Sequence, residues 1–387
     1  MKLLEQSPPA TRDPQLPSPE VIIREARKRG RRRRLGIGML VVLALGAAGA
    51  VGGVIGNGGS QVHTPVPAGG PQDGVVSSSH LYTATSSMVW TGFGLVTAST
   101  RALYALGVGT SLMRVQIHPL AVTAKASISG FPSSPFDLNV AAFGLGTLWA
   151  AAGDLVRLNP TTLTVTARFA LPEPALVVLV AGGTLWVGTP TSLLAVNPET
   201  GAVIRVDPLG YRPAAMVGSP NGRTLYVLGD RQGASIPGAV LSSFDAVTGT
   251  TLGERALGAW SAVDGLAATK TGAWVSLMMV NHRTATARVT LYKGARLARG
   301  PQIRLGHQAA ATVAYVADHV LWLIDGDSRF TKTTCASPAT GRVRATGSAG
   351  ITSGAGAMLT VKGRAFLLAP GPKSHLLEIN ATSACAS

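Results

Sequence analysis

The chain has 387 residues, enough for two or three average domains or for one long all-β domain. Only 13% of its residues are charged, 46% are apolar and 47 are glycine, a balance that suits many short strands joined by tight turns, plus one membrane segment. The formal net charge of +16 raises nucleic-acid binding, but its placement argues against it. Residues 1–34 hold ten Lys or Arg against four Asp or Glu, concentrated from Arg24 to Arg34, and the remaining excess is spread thinly over the rest of the chain. A basic block placed directly before an apolar run acts as a topogenic signal. No nucleic acid is expected as a partner.

Residues 1–20 contain five prolines and little apolar periodicity, so residues 1–34 read as a basic cytoplasmic tail without a core of its own. Within it, Val21 to Arg34 suits a short basic helix whose arginines lie among anionic headgroups. Leu35 to Ile55 is a run of 21 residues without a charge. At a rise of 1.5 Å per residue such a helix crosses a hydrocarbon core of about 30 Å. Charge lies on its N-terminal side, so the N-terminus is expected inside and everything beyond Ile55 outside the membrane. A cleaved signal peptide is the competing reading, because Ala47, Ala48, Gly49 and Ala50 permit processing and the arginine run faintly resembles a twin-arginine signal. The length of the run and the lack of an Ala-x-Ala site favour an uncleaved anchor. Residues 56–74 are Gly- and Pro-rich and read as a linker.

From residue 75 onward one phrase returns with drift. Its clearest copies are Gly146-Thr147-Leu148-Trp149-Ala150 leading to Asn159-Pro160, and Gly183-Thr184-Leu185-Trp186-Val187 leading to Asn197-Pro198. Aligning the aromatic of the phrase selects Tyr104, Trp149, Trp186, Tyr226, Trp274, Trp322 and Phe366, at intervals of 37 to 48 residues. A period in this range, carried by strand and turn signals with no amphipathic helical run, predicts four strands per unit in a radial array. Seven units fill 75–387. The expected architecture is an all-β, seven-bladed β-propeller preceded by a single transmembrane helix.

Each recurrent ring is expected to fill the wedge between neighbouring sheets, its burial contributing about 2–3 kcal/mol. The Asn-Pro and Asp-x-x-Thr-Gly endings (Asp245 to Gly249) read as side-chain-capped turns in which Gly supplies a positive φ. The last unit runs out after Asn380, before a fourth strand. His80 to Trp90 alternates like a spare strand and is expected to complete the seventh sheet and close the ring.

The run Gly183 to Val206, GTLWV followed by LLAVNPETGAVIRV, resembles the repeats of YVTN-type and quinoprotein-like seven-bladed propellers, and the streptogramin lyases use a related repeat. WD40 repeats are less similar, since no Gly-His and Trp-Asp pairs recur. The resemblance covers most of 75–387 and speaks for fold more than for activity. A lyase of this kind needs a His and a Glu facing a metal-bound substrate, but beyond the apolar run only Glu173, Glu199, Glu254 and Glu378 are glutamates. A quinone-dependent dehydrogenase needs a stacking Trp and a calcium site. Asp325-Gly326-Asp327-Ser328 offers a cation loop but reads better as a hairpin turn. No catalytic residue, metal or cofactor is assigned.

Two features remain as candidate sites. Cys335 and Cys385, the only cysteines, are expected to form a disulfide if this part of the chain lies outside the cytoplasm, tying the chain end to the preceding repeat. The connections between the second and third strands of units four to seven carry Arg231, His282, Arg283, Arg329, Lys332 and Lys373, a possible anion-binding face for an envelope glycan phosphate or lipid headgroup. The expected function is a monomeric, membrane-anchored, extracytoplasmic module that binds an envelope protein, glycan or anionic lipid at a bacterial cell surface. The alternative is an envelope enzyme with chemistry in the central funnel, resembling a streptogramin lyase or a quinone-dependent dehydrogenase.

Overall fold

The structure is a computed structural model that describes residues 81–387 apart from 91–93, 107–110, 132–138, 232–237, 260–261, 281–284, 305–311, 318, 327–330, 350–356, 362–363, 370–373 and 387. The tail, apolar run and linker read at 1–34, 35–55 and 56–74 lie outside the described residues. Among the described residues no helix is long and apolar enough to cross a membrane, and one short helix occurs, Ser383–Ala386.

The described strands form seven four-stranded antiparallel sheets arranged as the blades of a β-propeller. Blades 1 to 6 span 94–127, 141–169, 177–208, 212–259, 262–304 and 312–349. The innermost strand of each blade touches that of the next, and the innermost strand of blade 7 touches that of blade 1, so the ring closes. Blade 7 takes three strands from 357–381 and its outermost strand, Tyr82–Trp90, from the start of the described chain. That strand pairs with Ser374–Ala381 from Tyr82↔Ala381 to Trp90↔Ser374. The spare strand at the front of the domain therefore closes the ring, as its alternation implied.

Blade 2 shows why the phrase folds this way. Gly146 and Gly153 take positive φ (75° and 78°) at the two ends of the strand Thr147–Ala152, whose interior from Leu148 to Ala152 is buried. Gly freely adopts this backbone, so each reverses the chain at no steric cost. Between them Trp149 is fully buried against Phe169, with ring centroids 6.3 Å apart. All seven recurrent aromatics lie on the second strand of their blade and are at most 3% exposed. The apolar residues before them, from Leu103 to Ala365, are buried equally.

The turn after the third strand caps itself as its sequence suggested. Asn159 Oδ1 accepts from the amides of Thr161 and Thr162, Asn197 Oδ1 from Glu199 and Thr200, and Asp245 Oδ1 from Val247 and Thr248. Gly201, Gly249 and Gly341 close three of these turns at φ near 70°. In blades 2 and 5 the same place is taken by Leu163 (φ 62°) and Leu297 (φ 56°), each at most 1% exposed.

The choice between Gly and Leu follows the ring on the preceding blade. Blades 2 and 5 follow blades whose aromatic is Tyr (Tyr104, Tyr226), and Leu163 and Leu297 pack into those apolar clusters. Blades 3, 4 and 6 follow Trp (Trp149, Trp186, Trp274). A Cβ added at Gly249 would come within 2.8 Å of Trp186, and one at Gly341 within 2.7 Å of Trp274. In blades 4 and 6 the larger ring fills the space that Leu occupies beside the smaller one, and in blade 3 Phe169, packed on Trp149, fills it, 2.0 Å from a Cβ at Gly201.

Candidate ligand-binding surfaces

Several arginines among the described residues have a structural use. Blades 1 to 5 each reach forward to the last turn of the next. Tyr104 Oη donates to Pro160 O (2.9 Å), Trp186 Nε1 to Ala246 O (3.1 Å) and Trp274 Nε1 to Pro338 O (2.8 Å). Arg157 donates to Pro198 O (3.3 Å), Arg255 to Leu297 O (2.9 Å), Arg205 to Thr248 O and Arg344 to Cys385 O. A guanidinium carries five N–H donors and so satisfies carbonyls left without a ladder partner.

Cys335 and Cys385 are joined in a disulfide, with Cα atoms 5.8 Å apart. Cys335 stands opposite Trp322 in the ladder, the register at which Arg157 stands opposite Trp149 and Ser243 opposite Tyr226. Arg157 and Ser243 pin the next blade's turn by hydrogen bonds, to Pro198 O and Ala295 O. In blade 6 the same position pins the C-terminal helix, which follows the third strand of blade 7, by a covalent bond.

Of the six residues read as an anion-binding face, His282, Arg283, Arg329 and Lys373 lie outside the described residues. Lys332 sits on the strand Thr331–Ala336, paired in register with Asp325. Arg231 ends the second strand of blade 4, is half-exposed, and pairs with Glu254 at 3.2 Å. Nearby, burial pushes the Asp230 carboxyl above the usual carboxylate range, partly offset by Arg212.

The glutamates are mainly structural. Glu173 accepts from the amide and hydroxyl of Thr191, which holds its carboxyl below the usual range. Glu378 pairs with Arg364 at 3.3 Å and accepts from Ser86 at 3.0 Å. Asn139 (φ 56°) joins three blades at the ring's centre, its carbonyl accepting from Val178 N and its Oδ1 from Met216 N, both at 2.8 Å. Among the described residues no group of three or more His, Cys, Asp or Glu converges on a point.

Two clefts bring together cations that are distant in sequence. The seam between blades 7 and 1 is the interface whose aromatic, Phe366, has no hydrogen-bonding tip, and Glu378 opposite it turns to Arg364 on its own blade. Here the blades enclose about 640 Å³, lined by Arg101, Arg114, His118 and Arg364 with Gln116 and the apolar Ile117 and Val361. That volume lies within the range of small-molecule sites. Gln116 is held by His118 O and Arg114 by Thr123 Oγ1, both at 2.5 Å. A smaller cleft between blades 4 and 5, about 120 Å³, is lined by Arg255, Arg288 and Arg299 around Tyr292 and Thr290. Sequence reading missed both, since no local pattern links residues on different blades.

No protein-family model and no curated protein sequence matches the chain. Among solved structures it is similar to the hydrazine synthase of Kuenenia stuttgartiensis, at 12% identity and a TM-score of 0.60, covering 80% of this chain and 99% of that one. It is also similar to the Pan2 WD40 domain of Neurospora crassa, at 9% identity and a TM-score of 0.57, covering 79% and 96%. A third similar structure is the computationally designed Ika8 protein, at 11% identity and a TM-score of 0.51, covering 76% and 99%. These likenesses show the propeller fold.

Proposed function

We propose that the chain is a membrane-anchored, extracytoplasmic β-propeller that acts as a binding module for an anionic partner at a bacterial cell envelope. The seam cleft between blades 7 and 1 carries the binding part of this reading, because Arg101, Arg114, His118 and Arg364 meet there beside two apolar side chains. Guanidinium groups favour carboxylate and phosphate partners, so an anionic glycan, lipid headgroup or acidic protein segment fits the lining. The disulfide supports the address, since such bonds persist mainly in oxidising compartments. The basic block and apolar run at 24–55 supply the anchor that this address requires. The likeness to a WD40 domain supports a fold used for protein interaction, and the arc of Arg231, His282, Arg283, Arg329, Lys332 and Lys373 adds a second cationic surface.

The test is retention of the full-length chain on anionic envelope material. Membranes washed at alkaline pH are expected to keep the chain in the pellet. After release in detergent, wild type binds the envelope fraction in low salt, Arg101→Glu binds markedly less, and Arg283→Glu with Arg329→Glu weakens the second surface. A chain washed off the membrane, or unchanged retention of all variants in low salt, contradicts the reading.

A further inference from the structure

The smaller cleft, between blades 4 and 5, shares no lining residue with the seam cleft of the proposed function. Its lining joins Arg255 from the outermost strand of blade 4 to Arg288 and Arg299 from the outer half of blade 5, and contains no carboxylate. Its nearest acidic neighbour in sequence, Glu254, pairs with Arg231.

The Arg255 and Arg299 guanidiniums are held in place. Arg255 donates to Leu297 O at 2.9 Å and lies over the Tyr292 ring, 5.7 Å from its centroid. Arg299 is held by Gln302 Oε1 at 3.1 Å. Each contact uses one N–H donor and leaves others free to turn inward, so the cations are positioned before any ligand arrives. The floor is polar and rigid: Tyr292 is 7% and Thr290 3% exposed. All three arginines also act on the Tyr292 hydroxyl, which burial raises above its usual range and Arg299, Arg255 and Arg288 pull back.

We infer that this cleft is a site for a single tetrahedral oxyanion of the phosphate class, clamped by Arg255, Arg288 and Arg299 with Thr290 as an auxiliary donor. A volume of about 120 Å³ admits a phosphate group and not a nucleotide or sugar chain, so a larger ligand enters by its phosphate alone. Arg suits this role because its planar fork matches two phosphate oxygens at once.

The purified full-length chain, in non-ionic detergent at constant ionic strength, is titrated with inorganic phosphate and separately with glycerophosphoglycerol, a soluble phosphodiester. Thermal melting and ³¹P line broadening are the readouts. Wild type is expected to show a saturable rise in melting temperature, since a ligand bound only by the folded state stabilises it. The variant Arg288→Gln with Arg299→Gln is expected to lose at least about tenfold in affinity, as does the milder Arg299→Gln in part, because this residue is exposed and its polar side-chain contact is with Gln302. Lys270→Gln with Arg342→Gln, equal in charge loss but elsewhere, retains wild-type binding. Tighter phosphate than phosphodiester assigns a terminal phosphoryl group, and the reverse assigns a phospholipid-like diester. No saturable effect of either probe, or equal binding by the double variant and wild type, overturns the inference.

Discussion

Trp186 and Gly249 form a matched pair across a blade interface, as do Tyr226 and Leu297. The ring that fills a wedge and the residue that closes the facing turn share one volume, so neither can change size alone. Leu297→Gly relieves a left-handed Leu but opens a cavity beside Tyr226, and is expected to destabilise by about 2–4 kcal/mol. Adding Tyr226→Trp should restore part of that loss, which a double-mutant cycle in denaturant measures as a favourable coupling. Additive effects would mean that the two side chains do not share space. The rings themselves were legible in the sequence because they recur at one phase of the repeat. The Gly/Leu alternation was not, because its cause is the ring of a different unit, some sixty residues away in the chain.

At the scale of elements, the blades are fastened by a repeated device whose chemistry varies. A Trp or Tyr tip, an Arg, a Ser and finally a disulfide reach from one blade to the last turn of the next. The disulfide encloses a sequence separation of 50 residues, for which removal of unfolded-chain entropy stabilises by about 4 kcal/mol. Replacing both cysteines by alanine is expected to lower the unfolding free energy by about that amount, read as a drop in denaturant midpoint with a steeper slope, because the released unfolded chain exposes more surface. An unchanged midpoint would show that Arg344 and the C-terminal helix hold the end of the ring without the bond. The cysteines and the closing strand could be read from sequence, since both stand out by composition or alternation. The arginine pins could not, because donor and carbonyl meet only once neighbouring sheets are stacked. For the same reason Arg255, Arg288 and Arg299 first read as thin scatter, and the pairing of Arg231 with Glu254 went unread.

For the whole molecule, a closed ring leaves no unpaired sheet edge at its seam, which suits a domain that must persist alone. The described blades place cations at two interfaces and a covalent tie at a third, while the segment read as an anchor lies outside the described residues. The account joins these into an oxidised propeller held outside the membrane. The most direct measurement uses a membrane-impermeant maleimide polymer on intact cells producing the full-length chain with Val247→Cys, at a residue 63% exposed where the disulfide cysteines are fully buried. The account predicts one adduct on each chain in cells that remain intact, still one after lysis and denaturation, and three once the denatured chain is also reduced. An adduct that appears only after lysis, or three adducts on the denatured chain without reductant, would contradict it.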